Sequence, residues 1–318
     1  MAVTLAEAQV NVQDALQLGI IDEFRKSNYL FDALTFDDVV SPTGGGATLT
    51  YGYTRVVTQP TAAFREVNNE YVAQEAAKQR YTADLKIFGG AFQVDRVIAN
   101  MGGIINEVTF QMQQKVKAAS ALFNDTVING DSGVDARVFD GLEKAVTGSS
   151  TEIVPNAAIA LDSTANVTAN YVEFLDILDE FLMNLDGEPG FIGGNLKLVA
   201  KIRACARRAG MYQVTKNDFG QQIERYGNIP LIDFGAKAGS NDPVVPIDGV
   251  SGETSLYVAR LALDGFHAVS MAGVPPVQTW LPDYSTAGAV KTGEVEMVAA
   301  VVLKATKAAG ILRRIKVQ

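Results

Sequence analysis

Ala121-Leu122-Phe123-Asn124-Asp125-Thr126-Val127-Ile128-Asn129-Gly130-Asp131 closes the longest regular pattern in the chain. Upstream of it Val97, Met101, Ile104, Ile105, Val108, Met112, Val116, Ala119, Leu122, Phe123 and Thr126 recur at spacings of three and four. That period predicts a long amphipathic helix with those side chains on its buried stripe. Asn129-Gly130 is its stop, and Gly102-Gly103 predicts a kink or a delayed first turn.

Working back towards the N-terminus, the period changes to two. Leu49, Tyr51 and Tyr53 alternate with Thr48, Thr50 and Thr54, which predicts a strand over Ala47 to Thr58. Gln59-Pro60-Thr61 ends it, and a polar middle, Asn68 to Gln79, follows. A second alternation then sets Tyr81, Ala83, Leu85 and Ile87 against Arg80, Thr82, Asp84 and Lys86. The pair reads as a long two-stranded ribbon. An isolated ribbon is marginal in water, and the flanking sequence offers no evident cover. A neighbouring copy of the chain is therefore expected to cover Leu49, Tyr51, Tyr53 and Leu85. The first forty residues read as an arm, with a short helix over Val3 to Leu18, and Ser41-Pro42-Thr43-Gly44-Gly45-Gly46 breaks the chain after it.

Working forward, a second helix is expected with Asn170 and Glu173 as its capping pair and Tyr171, Phe174, Leu175, Leu178, Phe181, Leu182 and Leu185 as its stripe. A third runs from Asn195 to Ala209. Short strands follow at Ile229 to Phe234, Leu256 to Leu263, Phe266 to Met271, Glu294 to Leu303 and Ile311 to Val317. Helices and strands mix without a βαβ rhythm, so the fold class is α+β.

Composition narrows the function. With 47% hydrophobic and 20% charged residues, the chain is globular and not disordered. The longest apolar run, Met297 to Leu303, is too short to span a bilayer. Met1 to Glu7 lacks the basic-then-apolar order of a signal peptide. A net charge of −9 disfavours a tight nucleic-acid binder but not a protein that surrounds DNA. The one cysteine, Cys205, falls on the apolar stripe of the third helix and reads as a small buried hydrophobe. The one histidine, His267, lies in a strand-like segment and reads as structural. One cysteine and one histidine make no zinc site, and no metal or cofactor is expected.

Catalytic motifs fail on inspection. Gly130-Asp131-Ser132-Gly133 resembles a trypsin-type nucleophile motif, but Val134 replaces the next glycine and the only histidine follows far downstream. As a calcium loop, Asp131 to Leu142 lacks the last carboxylate. Gly44-Gly45-Gly46 is not followed by Lys-Ser or Lys-Thr, so it is no phosphate loop. Asp176, Asp179 and Glu180 read as a solvated helix face. The basic residues Lys201, Arg203, Arg207 and Arg208, and Lys304, Lys307, Arg313, Arg314 and Lys316, are expected to salt-bridge to an acidic neighbour. No enzyme is expected.

The order of these features resembles the major capsid proteins of tailed bacteriophages, of the Hong Kong 97 type. Phe88-Gly89-Gly90-Ala91-Phe92-Gln93-Val94-Asp95-Arg96-Val97, then Ala121 to Asp131, then Phe139-Asp140-Gly141-Leu142 are similar to the passage where the family's spine helix ends and the chain turns. The resemblance implies an N-terminal arm over 1–43, an extended loop over 44–90, a peripheral domain over 91–146 and 274–318 with the spine helix inside it, and an axial domain over 147–273. It implies a structural function: hexamers and pentamers of this chain closing into an icosahedral shell around double-stranded DNA. Separate scaffolding and portal proteins, a decoration protein, a place in the virion and assembly in the host bacterial cytoplasm come with it. The scaffolding segment that some relatives carry is not at this N-terminus. The family's Lys–Asn cross-link lacks its asparagine, because no Asn follows Asn241. An encapsulin-type nanocompartment shell is the alternative within the same fold.

Overall fold

The computed structural model describes residues 29–41, 48–100, 106–210, 213–216 and 222–318. The expected helix over Val3 to Leu18, most of the Ser41–Gly46 break and the Gly102-Gly103 kink lie outside those residues. In chain order the helices and strands are α1 (Tyr29–Ala33), β1 (Phe36–Val40), β2 (Thr50–Thr58), β3 (Ala77–Asp84), β4 (Lys86–Asp95), α2 (Arg96–Asn100), α3 (Glu107–Asn129), α4 (Leu142–Val146), β5 (Glu152–Ile153), β6 (Ile159–Ala160), α5 (Thr164–Met183), β7 (Phe191–Gly194), α6 (Leu196–Arg208), β8 (Gln213–Lys216), β9 (Gln222–Tyr226), β10 (Ile229–Asp233), β11 (Glu253–Ala259), β12 (Phe266–Met271), β13 (Val277–Trp280), β14 (Val290–Leu303) and β15 (Ala309–Lys316). The class is α+β, as expected.

The spine helix α3 is capped at both ends by the residues its sequence supplies. Asn106 Oδ1 accepts a hydrogen bond from Thr109 N at 3.2 Å, satisfying one of the free N–H groups of the first turn. At the other end the Gly130 N–H reaches Thr126 O at 2.8 Å. The returning loop then lies against this end, with Gly141 N bonded to Gly130 O at 2.8 Å. A Cβ at Gly130 would meet Phe139 O at 2.2 Å, and one at Gly141 would meet Thr126 O at 2.6 Å. Close backbone approach is thus the reason for both glycines in this motif.

The helix packs on β4 and β14 with a face rotated from the expected stripe. Phe123, Val127 and Ile128 are fully buried, whereas Leu122 is 38% exposed. Phe123 sits among Phe31, Phe36, Phe88 and Phe139, with ring centroids 5.7 to 6.1 Å away, within the range of favourable aromatic pairs. Ala119, Ser120 and Ala121 are buried as well, so small side chains let neighbours close over this end of the helix on several sides.

Two sheets organise the rest. The first runs β1-β12-β14-β13, with β4 also pairing β14. The second runs β5-β15-β11-β7-β10-β9-β8, with β6 pairing β15. The central strands β7, β11 and β15 of the second sheet are buried on both faces, and their side chains alternate between two cores. Ile192, Leu256, Val258 and Leu312 face the core shared with α5 and α6, while Phe191, Tyr257, Ala259 and Ile311 join the core of the first sheet.

Strand pairing cuts across the order of the chain. β12, placed by the resemblance in the axial part, pairs with β1 and β14. β15, placed in the peripheral part, pairs with β11, β5 and β6. Both strands are largely buried on both faces, so their pattern does not say which sheet takes them. Within the expected arm, Leu30, Leu34 and Val40 are buried, and β1 pairs in parallel with β12. Helix α5 starts six residues before the expected cap, with Ser163 Oγ accepting from Asn166 N at 3.1 Å. Asn170 instead donates to Ala160 O at 2.9 Å. Helix α6 lies within one residue of its expected bounds at each end, and Asn195 is its N-cap.

This packing sets contrasting costs along one helix. Phe123→Ala is expected to lower the unfolding free energy by about 3–5 kcal/mol through lost burial and a cavity. Leu122→Asp is expected to cost less than about 1 kcal/mol, as an exposed site allows. Urea denaturation of the two variants checks the face; equal losses would show it misplaced.

Candidate assembly surfaces

The ribbon is built by β2 and β3, antiparallel from Thr50↔Asp84 to Thr58↔Ala77. Its base and its tip differ in kind. At the base, Tyr51 is 8% and Leu85 4% exposed, and both belong to the subunit's own core, with Leu49 and Tyr53 packed against it. Within the subunit, the first sheet covers Tyr51 and Leu85 and packs against Leu49 and Tyr53. The physical reason is the chain path. β4 continues from β3 after Leu85 and pairs with β14 over Asp95↔Val290 to Lys86↔Ala299, which brings the end of β14 beneath the ribbon.

Polar contacts fix the base further. Tyr53 Oη donates to Leu303 O at 3.3 Å, and the Arg55 guanidinium donates to the same carbonyl. Arg55 also lies 4.6 Å from the centre of the Tyr81 ring, in cation–π range. Tyr51 Oη donates to Asp37 Oδ2 at 3.0 Å, tying the ribbon to β1. Arg55 and Asp37 were not singled out from the sequence. Their only signal is a charge beside an apolar alternation.

Beyond the base, the ribbon leaves the subunit. Residues 59–76 form no helix or strand. Phe64 is fully exposed, Val72 is 85% exposed, and Val56, Val57, Val67 and Tyr71 are exposed with them. Single apolar side chains on a surface are ordinary, but a group of them on a projecting loop marks an interaction surface. The sequence expectation read Asn68 to Gln79 as a polar middle and did not single out Phe64, Val67, Tyr71 or Val72, because the apolar residues follow no period.

The motif at Ser132 is chemically occupied. Lys144 Nζ reaches Asp131 Oδ1 at 2.7 Å, Asp140 Oδ1 at 2.9 Å and Ser132 Oγ at 3.1 Å. Hydrogen bonds to Asp131 and Asp140 push the Lys144 ammonium above its ordinary pKa. A serine–lysine hydrolase needs the lysine neutral, so this arrangement is a pin holding the turn after α3. Together with Arg55, Asp84 and Lys86 it borders a cleft of about 470 Å³ between the ribbon base and that turn. Cys205 is buried, and burial pushes its thiol up to about 11. Among the described residues no cluster of metal-ligating side chains occurs, and no helix is long and apolar enough to cross a membrane.

Four of the basic residues find partners in their own chain. Arg313 pairs with Glu143 at 2.7 Å and with Glu152, Arg203 with Glu224, and Lys316 with Asp162 at 3.4 Å. Lys201 donates to Asp162 O at 2.8 Å. Glu143 also accepts from Tyr257 Oη at 2.5 Å, so one carboxylate joins α4, β11 and β15.

The split between base and tip separates stability from association. Tyr51→Ser is expected to cost about 3 kcal/mol or more of subunit stability. Phe64→Ser with Val72→Ser is expected to stay within about 0.5 kcal/mol of the parent. Chemical denaturation reads both, and a large loss from the tip variant would place the tip in a core.

No protein-family model and no curated protein matches the sequence. Solved structures do match over nearly the whole chain. The holo-SrpI encapsulin complex from Synechococcus elongatus PCC 7942 is similar with a TM-score of 0.65 at 15% identity, covering 99% of this chain and 97% of that one. The capsid of the native GTA particle gives 0.60 at 13% identity, covering 98% and 97%. Mycobacterium phage Cain gives 0.61 at 14% identity, covering 98% of each chain. The chain has the Hong Kong 97-type fold that phage capsids and encapsulins share.

Proposed function

We propose that this chain is the major capsid protein of a tailed phage, a structural subunit that associates with itself into an icosahedral shell around double-stranded DNA. The observation that carries it is the ribbon: its base is anchored in the subunit's own core, while its apolar tip, from Val56 to Val72, projects into solvent. A surface of that kind is completed by another copy of the same chain, as in the hexamers and pentamers of a shell. The intersubunit contact first assigned to Leu49, Tyr51, Tyr53 and Leu85 moves to this tip, and the four act by aiming it. Residues 29–146 with β12 to β14 serve as the peripheral part, and the sheet of β5 to β11 with β15 and the helices α5 and α6 as the axial part.

The net charge of −9 suits a container that holds DNA without sticking to it. Separate scaffolding, portal and decoration proteins, the virion as destination and the host cytoplasm as place of assembly belong to this reading. The role is structural and not enzymatic. An encapsulin-type shell is the alternative, and contents separate the two: nuclease-protected DNA for a phage, cargo protein for a nanocompartment.

Electron microscopy of the purified protein is expected to show closed shells or rings, and Phe64→Ser with Val72→Ser is expected to abolish them. A monomer at high concentration by sedimentation would overturn the reading. The shell is also expected to be held without covalent bonds. Lys78 and Lys86 lie on or beside the ribbon, but residues 274–318 offer only Gln278 and Gln318 as amides. Boiled particles are expected to run as one band near 33.9 kDa; a ladder of multimers would refute the absence of cross-links alone.

A further inference from the structure

His267 sits where three parts of the chain meet. It lies on β12, is 0% exposed, and neither ring nitrogen has a protein hydrogen-bond partner of ordinary geometry. From β1, Asp37 Oδ2 approaches its Nε2 to 3.9 Å. From β2, the Tyr51 ring stands edge-on with centroids 6.0 Å apart. From the turn after β14, Lys304 Nζ lies 4.0 Å from the same Asp37 oxygen and 5.4 Å from the centre of the Tyr51 ring. β14 itself sets the apolar Val302 opposite His267. Tyr53 and Arg55 continue the ribbon side, both bound to Leu303 O. One carboxylate, Asp37, thus serves the Tyr51 hydroxyl and lies within reach of two basic groups, one a permanent cation and one not.

We infer that Asp37, Tyr51, His267 and Lys304 form a proton-operated latch, closed while His267 is neutral, that holds the incoming strand β1 and the ribbon base on the first sheet. The charge count gives the direction. Closed and neutral, the junction has one anion, Asp37, and one cation, Lys304. A proton on His267 adds a second cation, on a side chain that solvent does not reach in the closed junction. Only one carboxylate is there to balance the two, and it already accepts from Tyr51. Burial first, and then Lys304, hold the imidazole below its usual 6.5, while Asp37 and the Gly265 backbone oppose them. The open junction exposes the ring to water and returns it towards that value. The open state therefore binds the proton more tightly than the closed one. Acid favours opening, and the effect enters as pH falls below about 6.5. β1 and the ribbon base are released together because Asp37 is on one and Tyr51 on the other. The device acts within one subunit, so it does not depend on the shell reading.

Hydrogen exchange of the full-length protein, read as protection at matched intrinsic rates, tests it. Between about pH 7 and pH 5, protection over Phe36–Val40 and Leu49–Tyr53 is expected to fall by up to about twenty-fivefold, the limit for one proton with an open-state pKa near 6.5. Helices α5 and α6 are expected to keep theirs. His267→Phe is expected to flatten the response. Should that variant fail to fold, Lys304→Met and Asp37→Asn give a second reading: the midpoint is expected to move to higher pH in the first and to lower pH in the second. The latch is overturned if protection at β1 and the ribbon base does not change with pH, if the loss spreads equally over α5 and α6, or if His267→Phe, or both charge variants, respond as the parent does.

Discussion

The pairing of β4 with β14 is the constraint on which the rest depends. Ten successive residues of β4, Lys86 to Asp95, are in register with Val290 to Ala299. One face of this ladder receives the spine helix α3. One end continues directly into the ribbon, and beyond Ala299 the same strand β14 pairs with β12, which in turn holds β1. A ribbon grown from such a ladder behaves as a cantilever. Its root cannot rotate without breaking main-chain hydrogen bonds, each with a partner group that would be left buried and unsatisfied.

The sequence made some of this legible and hid the rest for identifiable reasons. The end of the spine helix could be read because its signal is local: Asn129-Gly130 stops a helix by backbone preference, whatever packs around it. Phe266–Met271 was read in full because continuous β-forming residues need no knowledge of partners. The face of α3 was misread at Leu122 because spacing finds a stripe but not what closes over it. The aromatic rings from α1, β1, β4 and the loop at Phe139 gather on Phe123 and leave Leu122 at the edge. The covering of the ribbon base depends on a strand more than two hundred residues downstream, with Tyr53 bound to Leu303 O, and no window of sequence contains both. The strands β7, β9 and β13 escaped notice for another reason: they are four or five residues long, too short to show a period.

The electrostatics follow a similar division between local and long-range. Arg313, Arg203 and Lys316, which looked available to a partner, are spent on Glu143, Glu152, Glu224 and Asp162 of the same subunit. The ion pairs of Arg313 bridge α4, β5 and β15, partly buried, where geometry rather than raw Coulomb energy gives them value. Pairing the cations inside the subunit leaves the excess of acidic charge for the outside. In a closed container that excess would act as a repulsive lining, screened over about 8 Å at physiological salt. Packed nucleic acid would then be held near the wall but not on it.

A stiff root and an unpartnered tip also explain why association need not be strong at any one contact. A flexible projecting loop would lose conformational entropy on docking, on the order of 1–2 kcal/mol for each residue whose backbone becomes fixed. Here the strands up to Thr58 and from Ala77 are already ordered by their own ladder, so that part of the cost is met when the subunit folds. Only the segment between them remains to be set against a neighbour. The apolar tip can then be small, because preorganisation rather than area raises its affinity. In a ring each copy would donate one tip and receive one, a heterologous contact that closes on itself. Closure makes every contact but the first intramolecular, and the effective concentration of neighbouring surfaces stabilises the whole beyond what a single tip contributes. Loosening the root would remove that advantage without altering a single residue at the contact, so under the proposed assembly the side chains at the ribbon base, Tyr51, Tyr53, Arg55 and Leu85, would act on association while facing inward.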